Sequence, residues 1–189
     1  MEIILASASP RRQQLLELIG LDFKIVVSDV EEDNTKELLP QELAMAHAVD
    51  KAIAVSRKVS KDAVVIGADT IVVVDDKVFG KPQDCQHAIN MLTILAGREH
   101  TVITGVAVAK GENVISGCNT TTVKFRPLSP EQIKRYVDTG EPMDKAGAYA
   151  IQGKGALLVE SITGCYSNVV GLPLVRLSEL LRQVGVCIL

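Results

Sequence analysis

The sequence predicts an α/β protein, and three observations carry that prediction. A short apolar strand at 3–6 runs through a small-residue loop into a helical pattern ending at Gly20. Two runs rich in β-branched residues, AVVIG at 63–67 and IVVV at 71–74, lie between helical segments at 40–58 and 84–96 and read as strands of a well-covered sheet. An alternating strand pair at 99–126 is followed by further helical segments. The 189 residues suffice for one domain, 1–189, or for two small lobes sharing a core. With 47% hydrophobic residues but only 3% aromatic ones and no Trp, that core is aliphatic, built from Val, Ile, Leu and Ala.

The first helix starts at Ser9-Pro10, a good N-cap followed by a residue suited to the first helical position. Arg11 and Arg12 follow, and Leu15, Leu16 and Ile19 recur at helical spacing. Unpaired amides at a helix start attract anions, and two arginines add charge and forked donors. The pattern therefore describes a phosphate cradle, although an ordinary capped helix with two surface arginines has the same pattern. Residues 22–28 read as a second strand, followed by the acids Asp29, Glu31, Glu32 and Asp33 and a polar loop. From Pro40, Ala44, Ala48, Ala52 and Val55 are spaced to pack a helix closely on a sheet. Lys51 lies on that helix, where spacing alone assigns a lysine to a solvated face.

Asp69 and Thr70 sit between the two predicted strands. A carboxylate there either caps a bend through its own backbone or faces a functional partner. Asp75-Asp76-Lys77 is a turn into Val78-Phe79, and Gly80-Lys81-Pro82 ends that hairpin. The helix over 84–96 has Ala88, Met91, Leu92 and Leu95 inside and Gly97 as its stop. Lys110 to Asn113 turn the strand pair, and Ser129-Pro130 open a helix to about Thr139. The segment 141–156, EPMDKAGAYAIQGKGA, is too rich in Gly and Ala for a regular amphipathic element and reads as a loop or short helix lining a surface. A strand at 156–162 and a helix marked by Leu174, Leu177, Leu180 and Leu181 complete the chain.

A net charge of −3 argues against coating nucleic acid by bulk electrostatics. Nothing approaches 18 consecutive apolar residues, and no signal peptide is read, so a soluble cytoplasmic protein with no membrane partner is expected. Cys85, Cys118, Cys165 and Cys187 are widely separated, which fits reduced thiols better than a zinc site or disulfide framework. No P-loop, HExxH or GxSxG pattern occurs, and the three histidines are scattered.

What remains is an ordered set: SASPRR near the start, IGADT at 66–70, GKP at 80–82, EPMDKAGAYAIQG at 141–153 and NVVGLP at 168–173. In that order and spacing the chain resembles the Maf family of nucleoside triphosphate pyrophosphatases over essentially its whole length. The resemblance implies a mixed, twisted sheet with flanking helices and two lobes around a central cleft, similar to the inosine triphosphatase-like fold, often dimeric. It implies cleavage of a nucleoside triphosphate between the α- and β-phosphates with a divalent metal, Mg²⁺ or Mn²⁺. Family members are also named septum-formation inhibitors, and a non-catalytic nucleotide-binding regulator of cell division is the alternative reading.

The same resemblance makes Asp69 the proton acceptor. By its chemistry the carboxylate either takes the proton from water directly or holds the metal, with Glu31 and Glu32 as candidate further metal carboxylates, although an acidic run is usually a solvated loop. It places Ser7, Arg11, Arg12, Lys51, Lys81 and Lys145 on the polyphosphate. Arg11, Thr70 and Gln152 match the subgroup acting on dTTP and UTP. A glutamine amide can accept from N3–H of uracil or thymine while donating to a ring carbonyl, a two-point match.

Overall fold

The computed structural model describes residues 1–33 and 38–189, so the predicted polar loop after Asp33 lies largely outside the described residues. The strands are β1 (Ile3–Leu5), β2 (Lys24–Ile25), β3 (Val64–Val74), β4 (Lys77–Phe79), β5 (Glu99–Lys110), β6 (Asn113–Phe125) and β7 (Val159–Thr163). They form a seven-stranded sheet in the order β2-β1-β3-β5-β6-β7, with β4 paired to β3. β1 is parallel to β2 and β3, whereas β3–β4 and β6–β7 are antiparallel, so the sheet is mixed as expected. The helices are α1 (Pro10–Leu18), α2 (Pro40–Ser56), α3 (Cys85–Leu95), α4 (Pro130–Val137), α5 (Tyr166–Val170) and α6 (Leu174–Gln183).

Contacts divide the chain into two compact units, one of residues 1–70, 104–119 and 171–189, the other of 71–103 and 120–170. In the first unit, α2 approaches the sheet through alanines. Ala48, Ala52 and Val55 pack with Ile4, Ala6, Val65, Ala107 and Ala109. The approach is so close that a Cβ on Gly67 would run into the Ala48 carbonyl and Ala52, and one on Gly105 into the backbone at Ala44. Small residues on both faces are the condition for this packing. In the second unit, Ala88, Met91, Leu92 and Leu95 of α3 and Ile133, Tyr136 and Val137 of α4 share a core with Phe125 and Tyr149.

Three expectations are corrected. The runs at 63–67 and 71–74 are one unbroken strand, β3, with Asp69 and Thr70 inside it. Their side chains find hydrogen-bond partners in place, so the backbone need not turn to satisfy them. The strand expected over 22–28 shortens to Lys24–Ile25, because β1 offers only Ile4 and Leu5 as partners. Ser9 stands at the N-cap of α1 but its side chain makes no cap bond, and its N–H donates to Ser7 Oγ. The segment 141–157 resolves into three 3₁₀ turns, and α5 was not foreseen. No helix of the described residues is long and apolar enough to cross a membrane.

Candidate active site

Asp69 is 4% exposed and lies at the centre of a charged group in the first unit. α2 brings Lys51 and His47 to it, four residues and one helical turn apart. Lys51 Nζ donates to Asp69 Oδ1 at 2.5 Å and to Glu32 Oε1 at 2.7 Å. The lysine side chain is only 11% exposed, so the solvated face assigned by spacing is corrected. The other carboxylate oxygen of Asp69 lies 3.1 Å from His47 Nδ1. His47 Nε2 lies 3.2 Å from the Asp33 carbonyl oxygen.

Burial by itself raises the Asp69 carboxyl, but the His47 hydrogen bond and the charges of Lys51 and Arg12 outweigh it and hold it down at about 2. Asp69 is therefore ionised and can only accept. A carbonyl can also only accept, so both ring nitrogens of His47 must donate. His47 is thus an imidazolium, consistent with the upward shift that its bond to Asp69 imposes against desolvation.

Arg12 is held by three neutral acceptors. Its Nε donates to the Gly171 carbonyl at 2.8 Å, one terminal nitrogen to Ser7 Oγ at 3.2 Å and the other to Thr70 Oγ1 at 3.1 Å. Thr70 Oγ1 is also 2.9 Å from Thr104 Oγ1. Desolvation lowers Arg12 from its ordinary value while Asp69 and Glu32 pull it up, and a guanidinium stays charged throughout. Neutral partners fix its fork without cancelling its charge, the condition for gripping an anion. Ser7 accepts from Arg12 and from Ser9 N–H, which leaves its hydroxyl hydrogen as a donor. Arg11, half-buried, is the next residue of α1.

In the second unit, the Gly147 N–H donates to the Gly80 carbonyl at 3.0 Å, which ties the GKP turn bearing Lys81 to the segment bearing Lys145. Lys81 is exposed. Lys145 Nζ donates to the Glu141 carbonyl and to Asp144 Oδ1, each at 2.6 Å. Gln152 is half-buried, in extended conformation at the start of the turn Gly153–Leu157.

Residues 2–184 match the family described as Maf-like protein. The chain belongs to this family. It is 50% identical to the dTTP/UTP pyrophosphatase of Acetivibrio thermocellus, over 100% of this chain and 98% of that one. It is 52% identical to the protein of the same name from Symbiobacterium thermophilum, over 97% and 94%, and 51% identical to that of Dictyoglomus turgidum, over 100% and 98%. The solved dITP/XTP pyrophosphatase of Mycobacterium abscessus aligns at 14% identity over 66% of this chain and 73% of that one, with a TM-score of 0.42.

For this Maf-family chain, sequence reasoning missed His47, Thr104 and the Gly171 carbonyl. His47 carried a signal, since it precedes Lys51 by one helical turn and shares its face. Gly171 lay inside the NVVGLP stretch at 168–173, which marked the segment without showing that its carbonyl meets Arg12. Thr104 had no signal, because its role depends on which strand brings it to Thr70.

The carboxylates suit a divalent metal in one limited sense. Asp69 and Glu32 converge on a single ammonium, and magnesium is commonly held by one or two carboxylates together with substrate phosphates. No three His, Cys, Asp or Glu side chains are grouped for a metal among the described residues. Glu31 is exposed and forms no ion pair or side-chain hydrogen bond among them.

Proposed function

We propose that this chain hydrolyses dTTP and UTP between the α- and β-phosphates, releasing the monophosphate and pyrophosphate. The observation that carries the reading is a buried, ionised Asp69 held between Lys51 and His47, with the Arg12 guanidinium fixed beside the same strand. The names of relatives about half identical over their full length point to the same substrates.

In this reading Arg12, Arg11, Lys51, Lys81, Lys145 and the Ser7 hydroxyl take the polyphosphate, whose roughly four negative charges need several cations. Asp69 takes the proton of the attacking water. While Lys51 and His47 both hold it, Asp69 is a weak base. Transfer of the Lys51 ammonium to a phosphate oxygen removes one of the charges that depress it and raises its proton affinity as substrate arrives. In the alternative role Asp69 is not the base but, with Glu32, would hold Mg²⁺ or Mn²⁺, which would supply charge neutralisation on the phosphates and activation of water. Gln152, with Arg11 and Thr70, reads the pyrimidine through its two-point amide match. The setting is the cytoplasm, where the four free thiols stay reduced. Neither nucleic acid nor a membrane enters the reading, and a homodimer comes with the family resemblance.

A panel of nucleoside triphosphates assayed with Mg²⁺ and with Mn²⁺ tests it. UMP and pyrophosphate are expected from UTP, and Asp69→Asn should lower kcat by about 10²–10⁴. Release of orthophosphate, or tight triphosphate binding without hydrolysis under either metal, would overturn it.

A further inference from the structure

The geometry points to Glu141 as a positioning residue that sets base selectivity by holding the turn that carries Gln152. This inference rests on the proposed role of Gln152. The Glu141 carboxylate spans two consecutive amides: Oε1 accepts from Lys154 N–H at 3.2 Å and Oε2 from Gly155 N–H at 3.3 Å. Those amides open the turn Gly153–Leu157, directly after Gln152. On the other side of Gln152, the Ala150 N–H donates to the Tyr136 hydroxyl at 3.3 Å. The stretch bearing the amide is therefore clamped on both flanks by side chains from outside it, eleven and sixteen residues upstream of Gln152 (152 − 141 and 152 − 136).

Gly153 adapts the backbone to this clamp. Its φ is +63°, and a Cβ there would stand 3.1 Å from Glu141 Oε1. The half-buried Gln152 side chain makes no hydrogen bond among the described residues, so no polar contact within them fixes the amide and its placement follows the backbone that bears it. A two-point match tolerates an error of only about 0.5 Å in the placement of its donor and acceptor. Selectivity by Gln152 consequently requires a fixed turn, and the Glu141 side chain supplies the fixing. Lys145 is bonded to the Glu141 main-chain carbonyl, so changing the side chain leaves that contact in place.

The test compares wild type, Glu141→Ala, Glu141→Gln and Gly153→Ala. It measures kcat and KM for UTP and inhibition constants for GTP and for inorganic tripolyphosphate, which has no base. Glu141→Ala should raise KM for UTP about tenfold or more, with kcat within about threefold and both inhibition constants unchanged. Glu141→Gln keeps one acceptor oxygen and should recover part of the loss. Gly153→Ala crowds the same carboxylate and should resemble Glu141→Ala. Unchanged KM, or equal weakening of UTP, GTP and tripolyphosphate, overturns the inference. A wild type that binds GTP as tightly as UTP overturns the reading of Gln152 itself, and this inference with it.

Discussion

The imidazole Nδ1 of His47 lies 3.1 Å from Oδ2 of Asp69, and both side chains are buried. The pair places a fixed cation against the carboxylate assigned to the chemistry, on the oxygen that Lys51 does not hold. Two cations on two oxygens leave Asp69 no freedom to rotate, and they depress its basicity together.

Removing one of them should be visible in Asp69 itself. His47→Leu takes away a hydrogen-bond donor and a charge, so the Asp69 carboxyl should titrate about one unit or more above its wild-type value. Carbon-13 NMR of the carboxyl follows this directly, and the acid limb of the kcat pH profile should move upward with it. An unchanged titration would show that Lys51 and Arg12 set the value without His47.

Arg12 tests geometry against charge. Arg12→Lys keeps the positive charge but cannot reach Ser7, Thr70 and the Gly171 carbonyl together. KM should rise by about tenfold for UTP, and tripolyphosphate inhibition should weaken in parallel, because the lost contact is to phosphate. Stability should fall by about 1–3 kcal/mol as buried acceptors lose their donor, measurable by urea denaturation.

His100 supplies a pH dependence apart from the chemistry. It is 3% exposed, edge-on to Phe125 and Tyr149, with Nε2 2.7 Å from the Tyr149 hydroxyl. Desolvation lowers it from 6.5 to about 4. Between those values the unfolded chain binds a proton that the folded chain refuses. The stability from neutral His100 is full above about 6.5 and is lost as pH falls toward 4. Between pH 7 and pH 5 this amounts to about 2 kcal/mol. His47, shifted upward, gains stability over the same range, so the loss is read as a difference. On going from pH 7 to pH 5 the urea-derived stability of wild type should fall by about 2 kcal/mol relative to that of His100→Gln, which does not titrate.

The local chemistry of this protein was legible in the chain. Pro10 at the first turn of α1, the alanine spacing of α2 and the inner face of α3 follow from capping and periodicity, which act over a few residues. The five ordered motifs were enough to indicate the family. Tertiary structure decided who meets whom. Asp69 lies inside a strand and meets His47 from 22 positions away, while Arg12 meets a carbonyl 159 positions away. Lys51, which spacing assigned to solvent, stands between two carboxylates, and Glu141 clamps the turn after Gln152. Such pairings depend on strand order, register and the close approach of α2 at Gly67 and Gly105, and these are set by packing of the whole core.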